Sequence, residues 1–292
     1  MRLTPAVLAL AVLPAIAHAE DPTVIDPKAL FPEGPVLLDG KLYYAQYSGN
    51  VASVWDGATK TDFWKEDGCG PSAVVPVGDN FGITCYDNGK LEVITKDGKP
   101  VASYDKDASG QNLQGPNDGT PDGKGGAYFT LSGPWTPGPV VGRIVHLTPG
   151  GKLTEVANDL NYANGIVMGH DGRLYVNESY AGTVTSFAVA ADGTLSDRKS
   201  FVHLYQLGED PGVFPDGIKL GPNGNFFIGL NSVAAVIEVT PDGTKVAARH
   251  VFPSGGTPNM TFSADGKTMY VMAIDNEAGA PYEGRVLATP LP

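Results

Sequence analysis

Residues 162–178, YANGIVMGHDGRLYVNE, carry a complete local folding pattern. An Asn-Gly turn at Asn164 leads into the apolar run Ile166–Met168, and His170-Asp171-Gly172 turns the chain back. Leu174, Tyr175 and Val176 then form a second strand-like run. Asx-Gly flanked by strand-forming residues is a strong short-range hairpin signal. A third run, TVTSFAV (183–189), follows it.

The same order recurs on both sides. FPEGPV (31–36), CGPSAV (69–74) and GPNDGT (115–120) precede it, and FPDGIK (214–219) and TPNMTF (257–262) follow. The lead residues are Glu33, Ser72, Asn117, Asn164, Asp216 and Asn259, spaced 39, 45, 47, 52 and 43 residues apart. A period of this length marks a repeat architecture. Each unit continues through a second turn into an aromatic or β-branched strand, as in DGKLYYAQY (39–47) and DGKTMYVMA (265–273). Most units then add a third strand and a fourth, such as KLTEVA (152–157). Six units of four strands predict an all-β fold, a six-bladed β-propeller with a metal site on its axis. The last unit ends after its third strand, so TVIDPKAL (23–30) is expected to close the last blade as its outer strand. No linker-like stretch divides the repeats, and residues 20–292 are expected to form one domain.

Residues 1–19 read as a secretory signal: Arg2, the apolar stretch Ala6–Ala15 and the small-residue pattern Ala17-His18-Ala19. The mature chain is therefore expected to be soluble, monomeric and secreted or periplasmic. Loss of Arg2 takes the formal charge from -12 to -13. So acidic a chain argues against nucleic acid or anionic lipid as a partner. In an exported chain a disulfide between Cys69 and Cys85 is permitted, because a hairpin turning near Gly78-Asp79-Asn80 brings the two ends together. Two buried free thiols are the alternative.

In a propeller the innermost strands begin near the central channel, so the lead residues can meet at one axial site. Glu33 and Asp216 bring two negative charges there, and Asn117 and Asn164 bring neutral amide oxygens. This donor set suits a hard cation, above all calcium, with zinc or manganese as alternatives. No His or Cys cluster occupies these positions. DKDASG (105–110) imitates the start of an EF-hand loop, but its twelfth position is Pro116 rather than Glu. His146, His203 and His250 fall outside the lead turns, although the last two precede loops that return to the axis.

From Phe31 to Tyr270 the motifs PEGPV, PNDG-x-x-DG, NG-x-x-x-x-x-DG-x-LYV and PDG-x-x-x-x-x-GN resemble the successive blade motifs of the gluconolactonase family. That family includes regucalcin and luciferin-regenerating enzyme, with diisopropyl-fluorophosphatase and paraoxonase as more distant relatives. The resemblance implies that Glu33, Asn164 and Asp216 bind a divalent metal directly. Asn117 matches a position that is a ligand in some relatives and a water or substrate contact in others. Asp216 matches the proposed general base, and Asp118 is expected beside Asn117 as part of the substrate site. Asn259 has no firm family role, and Ser72 is expected to shape the funnel. Sugar-lactone members often carry an Arg two residues before the Asn, but here that position is Gly115. Trp135, Tyr162, Tyr180 and Phe214 point instead to a more apolar mouth.

The expected activity is metal-dependent opening of a lactone or related small-molecule ester by water, with Asp216 taking the proton. The rivals are a phosphotriesterase-like hydrolase on the same site and a non-catalytic propeller stabilised by calcium.

Overall fold

Turn residues and alternating apolar runs translate into short antiparallel strands throughout. The computed structural model describes residues 15–17, 21–231, 233–276 and 278–291. Apart from 15–17, the expected secretory signal lies outside the described residues. The protein is all-β: among the described residues the helical elements are two 3₁₀ turns, Ser179–Ala181 and Leu204–Leu207. Among the described residues no helix is long and apolar enough to cross a membrane.

The unit around Asn164 shows the pattern. Strands Ala163–Met168, Arg173–Glu178, Thr183–Val189 and Leu195–His203 pair antiparallel in sequence order as one four-stranded sheet. Sheets of the same order begin at Pro32–Leu38, Pro71–Val77 and Pro116–Pro121. The strands beginning at Phe214–Leu220 and at Gly256–Phe262 belong to a larger composite sheet, whose two parts join through one residue pair, Leu230 with Thr257. Thr23–Leu30 pairs antiparallel with Glu283–Pro290, as expected for TVIDPKAL. Ala15–Ala17 pairs in parallel with residues 248–250.

The core is distributed between sheets. Alternation along Arg173–Glu178 sends Leu174 and Val176 into an apolar cluster with Ile144 and Phe187. It sends Tyr175 the other way, against Phe226 and Ile228. Both faces of a middle strand are therefore buried, and its apolar run is nearly continuous. Phe129 is fully buried between two sheets with Val75 and Val93, and truncating such a side chain to Ala costs about 3–5 kcal/mol. Tyr44 anchors the N-terminal strand, its hydroxyl donating to Asp26 Oδ2 at 2.7 Å.

The inner strands share a local irregularity. Their pairing with the second strand shifts register around the lead residue, between Glu33 and Val36, Pro116 and Gly119, Ala163 and Ile166, and Pro215 and Ile218. Such bulges re-aim a side chain. Glycine after the lead residue lets neighbouring inner strands approach. A Cβ on Gly34, whose φ is +43°, would lie 2.2 Å from Ala73 Cα. One on Gly165 would lie 2.3 Å from the Asp216 carbonyl oxygen.

Cys69 and Cys85 are joined, with Cα atoms 4.5 Å apart. The bond ties the approach to the second inner strand to the end of its hairpin partner.

Candidate functional site

Five of the six lead residues meet at one cavity of about 560 Å³: Glu33, Ser72, Asn117, Asn164 and Asp216 line its floor. Asn231 adds a further amide. The walls are aromatic: Phe31, Tyr47 and Tyr282 pack together, Trp135, Tyr162 and Phe214 form a second group, and Tyr86 touches both. No Lys, Arg or His is among the described residues that line it.

Each floor residue is positioned by a named partner. Glu33 Oε2 accepts from its neighbour's amide, Gly34 N, at 2.7 Å and from Asn259 Nδ2 at 3.0 Å. Asn259 is itself fixed, because its Oδ1 accepts from Met260 N at 3.0 Å. The sixth lead residue thus acts through Glu33. Asn164 Nδ2 donates to Ser179 Oγ at 3.2 Å, which leaves Oδ1 as the acceptor of that amide. Ser179 Oγ in turn donates to the Pro215 carbonyl at 2.7 Å, and Asn177 Nδ2 donates to the Asp216 carbonyl at 2.6 Å. These two bonds lock the backbone on which Asp216 sits to the sheet that carries Asn164. Ser72 and Thr84 do the same for Asn117, donating to its carbonyl at 2.8 and 2.6 Å.

The electrostatics of the floor are those of like charges in a dry place. Glu33 is 6% exposed and Asp216 is 5% exposed. Burial raises the Glu33 carboxyl well above its usual range, and the nearby Asp216 charge raises it further. The bonds from Gly34 and Asn259 offset only part of that. Higher up, burial also pushes the Tyr162 phenol far above its ordinary value, so its hydroxyl stays protonated.

Asp118 is 2% exposed and is not a lining residue. Its Oδ1 accepts from Gly119 N at 2.7 Å, and its Oδ2 lies 3.4 Å from Lys219 Nζ. The expectation of substrate contact is corrected: Asp118 sits behind Asn117, held there by the fold and by an ammonium from the strand that carries Asp216. His146 pairs with Asp122 at 2.8 Å, and His250 is buried 3.5 Å from Glu238. Neither they nor His203 line the cavity.

The profile of the family described as "SMP-30/Gluconolactonase/LRE-like region" matches residues 31–275. The chain belongs to this family. It is 27% identical over 207 residues to a diisopropyl-fluorophosphatase of Loligo vulgaris, a match covering 66% of this chain and 65% of that protein. A gluconolactonase of Xanthomonas campestris superposes with a TM-score of 0.72 at 20% identity, covering 97% of this chain and 99% of that one. A calcium-binding regucalcin from Agrobacterium tumefaciens gives a TM-score of 0.72 at 17% identity, covering 93% of each chain. At such identities the solved structures show a shared fold.

Within this member of the SMP-30/gluconolactonase family, the floor fits a divalent cation on its own chemistry. The Asp216 charge adds to the cost of ionising the buried Glu33, and two amides offer neutral oxygens beside them. Glu33 and Asp216 offer carboxylate oxygens and Asn117 and Asn164 amide oxygens, a hard donor set. Glu33, Asn117, Asn164 and Asp216 are the residues that would hold such an ion.

Sequence reading missed Phe31, Tyr47, Tyr86, Asn231 and Tyr282 as lining residues. A signal for three of them existed. The second strand of a unit runs antiparallel to the first, so its last residues return to the level of the lead turn. Tyr47 and Tyr86 follow the second strands Lys41–Gln46 and Asn80–Cys85, and Asn231 ends Phe226–Asn231.

Proposed function

We propose that the chain is a divalent-cation-dependent hydrolase of the gluconolactonase type, which opens a lactone or small ester. The observation that carries this reading is the floor itself: Glu33 and Asp216 buried together, with amide oxygens beside them, in a cavity with no basic residue among the described residues that line it. The family membership and the gluconolactonase neighbour support it.

A bound cation, calcium best matching the donors, would polarise the ester carbonyl and stabilise negative charge developing on its oxygen. The chain's own residues do the rest. Glu33, held by Gly34 and Asn259, and the Asn117 and Asn164 amides fix the reacting group at the floor. Asp216 accepts a proton as water adds to the acyl carbon. It returns that proton to the ring oxygen as the C–O bond breaks, so a lactone and water become a hydroxy acid. The walls exclude bulk water around the reacting bond.

The scaffold we propose is one domain of residues 20–292, a closed six-bladed propeller. Two observations support closure: Gly256–Phe262 packs beside Pro32–Leu38, and an apolar cluster joins Met272 and Val286 to Leu42 and Tyr44. Export after removal of residues 1–19 is supported by the Cys69–Cys85 bond, since disulfides persist in oxidising compartments.

The direct test is Asp216→Asn. Lactone turnover should fall by at least about a hundredfold while the melting temperature stays near wild type. Unchanged turnover would remove Asp216 from the reaction. The match to diisopropyl-fluorophosphatase favours a second reading, in which a carboxylate attacks phosphorus of a phosphotriester. A single turnover in oxygen-18 water separates the routes: label in the first product supports activated water, and unlabelled first product supports attack by the protein.

A further inference from the structure

We infer that the cavity selects a substrate whose body is a flat apolar ring, and rejects one bearing many hydroxyls. The inference rests on the hydrolase reading for the bond that is cut, but not for the shape that is bound.

The carboxylates and amides of the lining belong to the floor, and the Ser72 hydroxyl beside them is already committed. The Ser72 hydroxyl donates its one proton to the Asn117 carbonyl, with the Pro116 carbonyl 3.1 Å away. Higher up, where the body of a substrate must lie, the surface is aromatic. Trp135 packs edge-on against Tyr162 with ring centroids 4.6 Å apart and against Phe214 at 5.4 Å, and lies tilted on Tyr180 at 4.7 Å. Trp135 itself remains 48% exposed. Trp135, Tyr162 and Phe214 line the cavity, Tyr180 packs against all three without lining it, and the Trp135 indole is left to stack on something else. Offset and edge-on ring contacts of this kind each add to affinity beyond the area they bury.

Three of the four tyrosines that line the cavity do not rescue this surface for a sugar. The Tyr162 hydroxyl donates to Tyr86 Oη at 2.9 Å, the Tyr86 hydroxyl donates to the Gly133 carbonyl at 2.9 Å, and the Tyr47 hydroxyl donates to Asp87 Oδ1 at 2.7 Å. Three phenolic protons that would meet substrate hydroxyls are thus spent within the protein, and the rings are what the cavity presents. Nor can a longer polar side chain reach in beside Asn117. Gly115 has φ +57°, and a Cβ there would lie 2.6 Å from the Gly133 carbonyl oxygen and 3.0 Å from the Tyr86 ring. Tyr86 and Gly133 fill that corner. A polyhydroxylated ring would have to shed water from several hydroxyls against aromatic carbon, which costs free energy for every one left unpaired.

The test pairs a bound, unreactive analogue with the reactive lactone. Calorimetric titration of the mature protein with 3,4-dihydroquinolin-2-one, the lactam of an aryl lactone, is compared with gluconolactam. The aryl lactam should bind at least about tenfold tighter, Trp135→Ala should weaken it about tenfold, and Trp135→Phe should keep most of the affinity. Because Trp135 is half exposed, its removal should leave the melting temperature near wild type. Equal or tighter binding of gluconolactam, or an aryl-lactam affinity unmoved in Trp135→Ala, overturns the inference. Hydrolysis of dihydrocoumarin and gluconolactone is then measured separately. Aryl-lactam binding through Trp135 with neither lactone opened would leave the shape inference standing and sink the hydrolase reading. Turnover that prefers gluconolactone would do the reverse.

Discussion

Glu33 and Asp107 are both carboxylates with 6% of their surface exposed, yet the fold treats them in opposite ways. Asp107 lies in the DKDASG loop and is fully furnished. Its Oδ1 accepts from Ser109 N at 2.8 Å and Gln111 N at 3.1 Å, and its Oδ2 receives Arg143 at 3.1 Å. Burial alone would raise this acid, but the hydrogen bonds and the guanidinium outweigh it and hold it below the usual range. Glu33 has two donors and, in place of a guanidinium, the Asp216 charge, and its acid is pushed up. Burial therefore does not mark a functional carboxylate. What differs is whether the fold supplies the countercharge: Asp107 is completed by its own chain, and in the proposed reading a cation completes Glu33.

The comparison breaks most visibly if Asp107 is made to resemble Glu33. Arg143 is buried, and it also donates to Glu155 at 3.0 Å and to the Asn112 carbonyl at 2.6 Å. Arg143→Met should destabilise the fold by about 3–5 kcal/mol, since it strands a buried charge. The urea midpoint reads this directly. A loss under about 1 kcal/mol would mean the loop does not need its cation.

A smaller effect sharpens the same point through pH. Burial alone would raise Asp122, yet bonds from His146, Lys124 N and Gly126 N bring it below its ordinary value of 3.8. A depressed folded value means that the stabilisation is complete above the unfolded value and is lost as pH falls through the folded one. Asp122→Asn should thus cost roughly 1.5 kcal/mol at pH 6, with the gap to wild type closing below about pH 4. Denaturation midpoints between pH 6 and 3 check it, and a pH-independent gap would contradict it.

Much of this was legible in the sequence for a physical reason. The lead turns need Gly, Pro and Asx to make a bulge and a close strand approach, so the residues that build the floor announce themselves by the backbone they require. Glu33, Asn117, Asn164 and Asp216 stand together at the cavity as that pattern anticipated. The remainder depends on contacts between units. Nothing in GPNDGT says that Asp118 will meet Lys219, because the two are 101 residues apart and on different sheets. The collar of Tyr47, Tyr86 and Tyr282 reads as ordinary strand-end aromatics until the chain has been wound. DKDASG illustrates the opposite hazard, since its carboxylates suggest a cation loop while Arg143, from a distant strand, already fills the role.

Whether Glu33 awaits a cation is best settled by calorimetric melting of the mature chain and of Glu33→Gln, each with calcium and after chelation. In wild type, calcium at about a hundred times its dissociation constant should add about 2.7 kcal/mol, a rise of several degrees. Glu33→Gln should melt no lower than wild type after chelation, because a buried amide avoids the cost of the charge, and should gain nothing from calcium. A wild-type chain indifferent to calcium, or a Glu33→Gln chain that keeps the full calcium shift, would contradict the account.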